Sequence, residues 1–432
     1  PETSYTITLR DKGGVTSDGA VATIEANSST HTVTFKVVDE EGGTLTANYG
    51  SNPWTNATST VQVPNGTTVT FTATPDPGWE LDSWTGVTSS SSLNATLTVD
   101  GDTTVTVKFK RVITIQNGNS FAWKLLKDAV KVAVDGTTIT IKGEIKASVS
   151  YEGGWGEIVI NENLTIKGET GAENDILDAS KMSRIFKVAS GKTLILENLK
   201  LTGGKAEGEE DADKCGGAIY AKDASTVKIE NCIITGNEAE TNGGGIYVES
   251  TYTTITNCTF TKNTARDGGG IYTNKTGSFT YVVEISGGTI GGTEQGNRAT
   301  GNGGGIYVGQ SCPLRLKDST DPGAQSVLIT GNQAPNGGGV YAANNADVSM
   351  QGGTQIDEYN DVYLYSGSVI LVNNDLTTTG TVAWIKVPEN NYTTSTQVLD
   401  GSKVYLQYGK FAVKPKGNQQ WEVNRYGFLK SK

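Results

Sequence analysis

A nucleophilic serine or cysteine needs a base beside it, and the 432-residue chain holds one histidine, His31, in a polar N-terminal stretch. Serine–histidine catalysis therefore finds no support. Carboxylate chemistry needs either two acids facing each other about 5 to 9.5 Å apart, as in a glycoside hydrolase, or Ca²⁺-binding acids beside a basic residue, as in a lyase. The densest acid cluster is Glu207, Glu209, Glu210, Asp211 and Asp213. Glu209, Asp211 and Asp213 are its candidate Ca²⁺ ligands, weighed against the commoner reading of a charge run as a solvated loop. Asp267, preceded by Arg266, stands where comparable segments carry Asn242, Asn302 and Asn336, so a turn variant outweighs a catalytic pair. Cys215, Cys232, Cys258 and Cys312 form no CxxC pair, and one histidine makes a His/Cys zinc site improbable. No catalytic residue is assigned. The remaining candidates are Tyr220, Tyr247, Tyr272, Tyr307 and Tyr341. Each joins apolar area to a polar tip, as a glycan or protein contact requires. The competing reading is a stack that only stabilises a sheet.

Those tyrosines sit in a repeat. Gly-Gly-Ala-Ile-Tyr-Ala at 216–221 recurs as GGGIYV at 243–248, GGGIYT at 268–273, GGGIYV at 303–308 and GGGVYA at 337–342. A second motif precedes the last four copies: Ile234-Thr-Gly-Asn237, Phe260-Thr-Lys-Asn263, Gly296-Asn297 and Ile329-Thr-Gly-Asn332, each with alanine two residues on. A third, KIENC at 228–232, TITNC at 254–258 and EISGG at 284–288, comes earlier still. One period of about 25 to 35 residues holds three short strands and cannot bury its own apolar face, so periods must stack. Alternation then sends Ile246 and Val248 inward and Tyr247 outward. The glycines mark a sharp corner in each coil. Asn237, Asn263, Asn297 and Asn332 fit left-handed turn residues whose amides bond from coil to coil. Cys232 and Cys258 fall on adjacent coils, and whether they are bonded stays open.

The fold expected is all-β: a right-handed, single-stranded parallel β-helix over residues 112–432. An amphipathic helix at about 119–134, capped by Ser120, covers its open end with Trp123, Leu126, Ala129 and Val130 on one face. The stretch from Lys403 to Phe428 closes the other end. Residues 1–31 read as an extension or linker strand. Residues 32–111 read as a small all-β module with turns at Asn65-Gly66 and Asp100-Gly101, and Trp79 and Trp84 as its core aromatics.

Net charge is −11, which argues against a nucleic-acid partner, because phosphate binding needs clustered Lys and Arg. No stretch approaches the roughly 20 apolar residues of a membrane span. A signal or anchor is expected outside this sequence.

GGAI at Gly216 and FTKN at Phe260 make the segment Leu194 to Ala343 resemble the repeats of polymorphic outer-membrane proteins. That resemblance implies β-helical surface adhesins. Only Phe260 keeps the family's phenylalanine, and no C-terminal β-barrel accompanies the repeats. PGWELDSWTG (77–86) makes the N-terminal module resemble the divergent B-repeat of bacterial cell-surface proteins, which implies a spacer without chemistry. The expectation is an extracellular or cell-surface, monomeric, non-catalytic adhesin or interaction scaffold meeting a host surface protein or glycan, with Ca²⁺ as the one conceivable cofactor. A carbohydrate-active β-helix enzyme, lyase or hydrolase, is the alternative, and a purely structural surface component the third reading.

Overall fold

The computed structural model describes residues 3–7, 20–24, 29–49, 52–55, 59–118, 120–150, 153–276 and 282–432. The chain divides into two compact units, Pro1–Val112 and Ile113–Lys432. Most of the extension expected at 1–31, and Asn119 at the head of the cap, lie outside the described residues.

In the first unit, strands Thr30–Val37, Ser59–Pro64, Trp79–Thr85 and Thr103–Gln116 form one sheet, and Gly43–Tyr49, Asn52–Thr55, Thr68–Pro75, Ser89–Ser91 and Asn94–Thr98 a second. Alternation buries Val33, Phe35, Leu45, Phe71 and Val105 between them. The rings of Phe35 and Phe71 meet edge to face at 6.0 Å. Trp79 and Trp84 are half-buried against this core, and the Trp84 indole donates to the Ser92 carbonyl. His31, expected in the linker, is already inside the first strand, paired with Val63.

The second unit is a parallel β-solenoid of about ten turns. Each coil contributes to a twelve-stranded sheet that runs from Ile158–Ile160 through the Ile-Tyr strands to Phe411–Val413. Its last two strands, Trp421–Val423 and Leu429–Ser431, turn antiparallel and end it. Pairing is in register: Ile219, Ile246, Ile271, Ile306 and Val340 lie above one another, as do the tyrosines that follow them. The aliphatics are almost wholly buried in one continuous core. Ala239, Ala265 and Ala299, three of the alanines after the Asn motif, join Ala206 in a short four-stranded sheet, Lys205–Ala206 to Arg298–Ala299.

The first glycine of every triplet has φ between +64° and +69°, the left-handed region a β-carbon disfavours. The second is fixed by contact, since a β-carbon on Gly244 would stand 2.4 Å from the Gly269 and Thr264 carbonyl oxygens. The third is also close to backbone, since a β-carbon on Gly245 would stand 2.6 Å from the Gly270 carbonyl oxygen, yet Ala218 occupies it in the first copy.

The asparagines are buried and bond from coil to coil as expected, but the left-handed residue is the one before Asn237, Asn263 and Asn332, namely Gly236, Lys262 and Gly331. This placement aims the next side chain inward. Asn237 Nδ2 donates to Asn263 Oδ1 at 3.0 Å, Asn263 to Asn297 at 2.8 Å, Asn297 to Asn332 at 2.9 Å, and Asn332 to Asn360 at 3.0 Å. Asn360 is a rung that no glycine triplet announces.

The cap helix is Ala122–Val132, with Ala122, Trp123, Leu126, Ala129 and Val130 buried. Ser120 does not cap it; Phe121 holds the N-cap position, with no side-chain capping hydrogen bond. The Trp123 indole instead ties the helix to the Gly156 carbonyl. At the far end, part of the closing stretch is a helical turn, Val404–Gln407, where the residues before it continue as strands. Among the described residues no helix is long and apolar enough to cross a membrane.

Candidate functional site

The tyrosines stand on the outer side of the twelve-stranded sheet, each ring parallel to the next. Centroids lie 5.2 Å apart from Tyr220 to Tyr247, 5.2 Å to Tyr272, 4.5 Å to Tyr307, 5.1 Å to Tyr341 and 5.4 Å to Tyr363. Register forces this stack, because parallel coils repeat at the strand spacing. Tyr363 extends the row beyond the glycine triplets. Its only signal in the sequence is the alternation of Val362-Tyr363-Leu364.

Cations close both ends. The Arg184 guanidinium lies 4.8 Å from the Tyr220 ring centre, and Lys386 Nζ lies 5.6 Å from that of Tyr363. Since neighbours occupy the ring faces, the stack presents its edges rather than a flat platform. Tyr220, Tyr247 and Tyr341 are buried, and Tyr272 and Tyr307 half-buried. Burial pushes the phenols of all six rings up from their ordinary value. Tyr247 also donates its hydroxyl to Glu249.

A roof covers the head of the stack. The acidic stretch 207–214 leaves the coil as a loop ending in the 3₁₀ turn Asp211–Lys214. Arg184, with a side chain only 3% exposed, fastens that turn by donating to the carbonyls of Ala212 and Asp213 while facing Glu157 at 3.4 Å. Ala212 and Cys215 pack on Tyr220, Tyr247 and Tyr272. Between roof and stack lies a cleft of about 770 Å³. Glu209, Glu210, Asp211, Tyr220, Tyr247 and Glu249 are among its lining. Lys222 and Arg266 also line it but are turned to Asp223 and Asp267, so the carboxylates dominate its charge.

The structure thus brings Tyr220 and Tyr247 together with Glu209 and Asp211. It leaves Tyr272, Tyr307, Tyr341 and Asp213 outside the cleft lining. Glu209, Asp211 and Asp213 do not converge: among the described residues no three His, Cys, Asp or Glu side chains are placed to hold a metal ion. Arg184 had no sequence signal, because it acts on a loop that folds back from a later coil.

Asp267 is consumed as a rung. Its Oδ2 takes a bond from Arg266 at 2.9 Å, and its Oδ1 accepts the backbone N–H of Asn302 at 2.8 Å. Asn302 in turn accepts from Asn336. All the cysteines are free and buried. Cys232 and Cys258 take backbone N–H donors, from Leu199 at 3.5 Å and from Cys232 at 3.4 Å, which gives that corner a sulfur counterpart of the asparagine column.

Fold and site together define a parallel β-helix repeat protein with a sealed aromatic stack and a loop-roofed acidic cleft. Residues 32–113 match the divergent InlB B-repeat domain, and residues 231–249 and 257–274 match the Chlamydia polymorphic membrane protein repeat. Both families are typical of bacterial surface or secreted proteins. No curated protein matches the chain. A solved structure, the catalytic domain of a GH87 alpha-1,3-glucanase in complex with nigerose, aligns at 12% identity over 99% of this chain and 80% of that one. Its TM-score of 0.26 carries no argument.

Proposed function

We propose that this chain is a bacterial surface or secreted adhesin, a non-catalytic scaffold that presents the roofed cleft to a host surface protein or glycan. The observation that carries this reading is where the cleft lies. Thr241, Asn242, Tyr247, Glu249 and Arg266 belong to the stretches that match surface-protein repeats, and the loop 207–214, inserted in the coil before them, roofs the stack there. A stacked solenoid suits display, because each rigid coil supports its neighbour and an insertion on one face leaves the ladder intact.

The test compares attachment of the full chain to host cells and to a glycan array with that of a variant carrying Glu209→Gln, Glu210→Gln and Asp211→Asn. The same preparations go through a polysaccharide-depolymerisation screen. Attachment that the variant loses supports the proposal. Release of sugar by the unaltered chain, or no attachment to either surface, refutes it.

A further inference from the structure

A second cleft, of about 510 Å³, lies at the opposite end of the solenoid, where the last parallel strand meets the antiparallel closing strands. Its shape follows from register. Strands 383–386, 411–413 and 421–423 alternate buried and partly exposed positions. Trp384 therefore faces outward beside Ala412, Ala412 beside Glu422, and Glu422 beside Lys430. One methyl group between a tryptophan and a carboxylate leaves a hollow, which Tyr408, Gln420 and Lys432 flank.

The chemistry of the walls is mixed. Lys414 holds its ammonium 4.7 Å from the Trp384 ring centre while donating to the Glu358 carbonyl, and Glu422 is neutralised by Lys430 at 3.1 Å. The indole N–H of Trp421, a wall residue only 9% exposed, has no acceptor. Residues 383–432 carry eight Lys and Arg against three Asp and Glu, in a chain whose net charge is −11. An aromatic wall suits the C–H face of a sugar, Gln420 and Glu422 suit its hydroxyls, and, with Glu422 held by Lys430, Lys432 on the rim and the positive excess of the 383–432 segment suit an anionic substituent.

From this arrangement we infer that the C-terminal cleft is a binding subsite for an acidic oligosaccharide, with a sugar ring against Trp384 and its carboxylate toward Lys414 and Lys432. The inference deepens the adhesive reading above and rests on it.

Oligogalacturonate, a neutral galactan oligomer of similar length and the full chain make the test, read by titration calorimetry and indole fluorescence. Oligogalacturonate should bind, more weakly as salt rises, and Trp384→Ala should weaken it at least tenfold. Ala412→Trp fills the hollow from the outside without emptying the core and should abolish binding at an unchanged melting temperature. That variant keeps the test decisive if Trp384→Ala fails to fold. Equal affinity for the neutral oligomer, full binding by Ala412→Trp, or no binding of oligogalacturonate by the unaltered chain overturns the inference. Host-cell attachment measured in parallel separates the two ideas: an unaltered chain that attaches to cells but does not bind oligogalacturonate sinks the subsite and spares the adhesin.

Discussion

Asn263→Ala tests the central physical claim, that coils are locked by buried amides as well as by aliphatic packing. In the native chain Asn263 Oδ1 accepts the backbone N–H of Asn237 at 3.0 Å and its Nδ2 at 3.0 Å. Asn263 Nδ2 donates to the Ile234 carbonyl at 2.8 Å and to Asn297 Oδ1 at 2.8 Å. The substitution deletes all four. At about 1 kcal/mol net for each neutral bond the loss is about 4 kcal/mol. Not every severed partner is stranded, since Asn237 Nδ2 still reaches the Leu201 carbonyl and Asn297 Oδ1 still accepts the Asn263 N–H. The Asn237 backbone N–H and the Ile234 carbonyl lose these bonds inside the core, where an unpaired group costs about 1–3 kcal/mol. We expect ~3–5 kcal/mol in guanidinium unfolding followed by far-UV circular dichroism. Because a repeat array opens segment by segment, native-state hydrogen exchange should place the loss on the amides of Asn237 and its neighbours rather than spread it over the unit. Asn161→Ala, exposed and outside the column, is the control and should stay within about 0.5 kcal/mol. A loss for Asn263→Ala below about 1 kcal/mol, or exchange that rises evenly along the solenoid, would refute the reasoning.

Three further outcomes follow from the same geometry. Gly244→Ala drives a β-carbon into three backbone atoms of the next coil and should unfold the local coils, whereas Gly245→Ala, which meets only the Gly270 carbonyl oxygen so closely and sits at the position Ala218 fills naturally, should be the milder change; thermal melts that rank them the other way contradict the corner argument. The tyrosine phenols are raised by burial, so the folded chain keeps protons that the unfolded chain sheds near pH 10. Their contribution is then fully present below about pH 10 and lost as pH rises further; a melting temperature flat to pH 11.5, with phenolate absorbance at 295 nm appearing before unfolding, would count against the sealed stack. Burial also pushes the Cys258 thiol up from its ordinary value, so iodoacetamide at pH 8 should leave Cys232 and Cys258 unlabelled until denaturant is added, and prompt labelling in the native state would show that corner to be open.

Much of this molecule is local and repeated, and that part was legible in the residues alone. A left-handed corner demands glycine wherever it occurs, and alternation within three residues decides that Ile246 faces the core and Tyr247 does not. Repetition then turns one local decision into a column. The in-register aliphatics, the amide ladder and the tyrosine row were therefore written in the spacing of the motifs. Their ends were not: Tyr363 and Asn360 continue both columns without any glycine triplet, because by then neighbouring coils impose the register.

What only the tertiary structure decided is what covers the columns. Whether the head of the tyrosine row, Tyr220 to Tyr272, is open or covered depends on the loop 207–214 folding back over it and on Arg184 from an earlier coil fastening it. The same holds for Glu209 and Asp211, whose acids share a cleft with Tyr247, and for the hollow at Ala412, which exists because three neighbouring strands of the sheet set a methyl group between an indole and a carboxylate. Side-chain periodicity is a property of one strand and its repeats. Burial, charge pairing and cavity shape belong to segments that meet only after the coils have stacked.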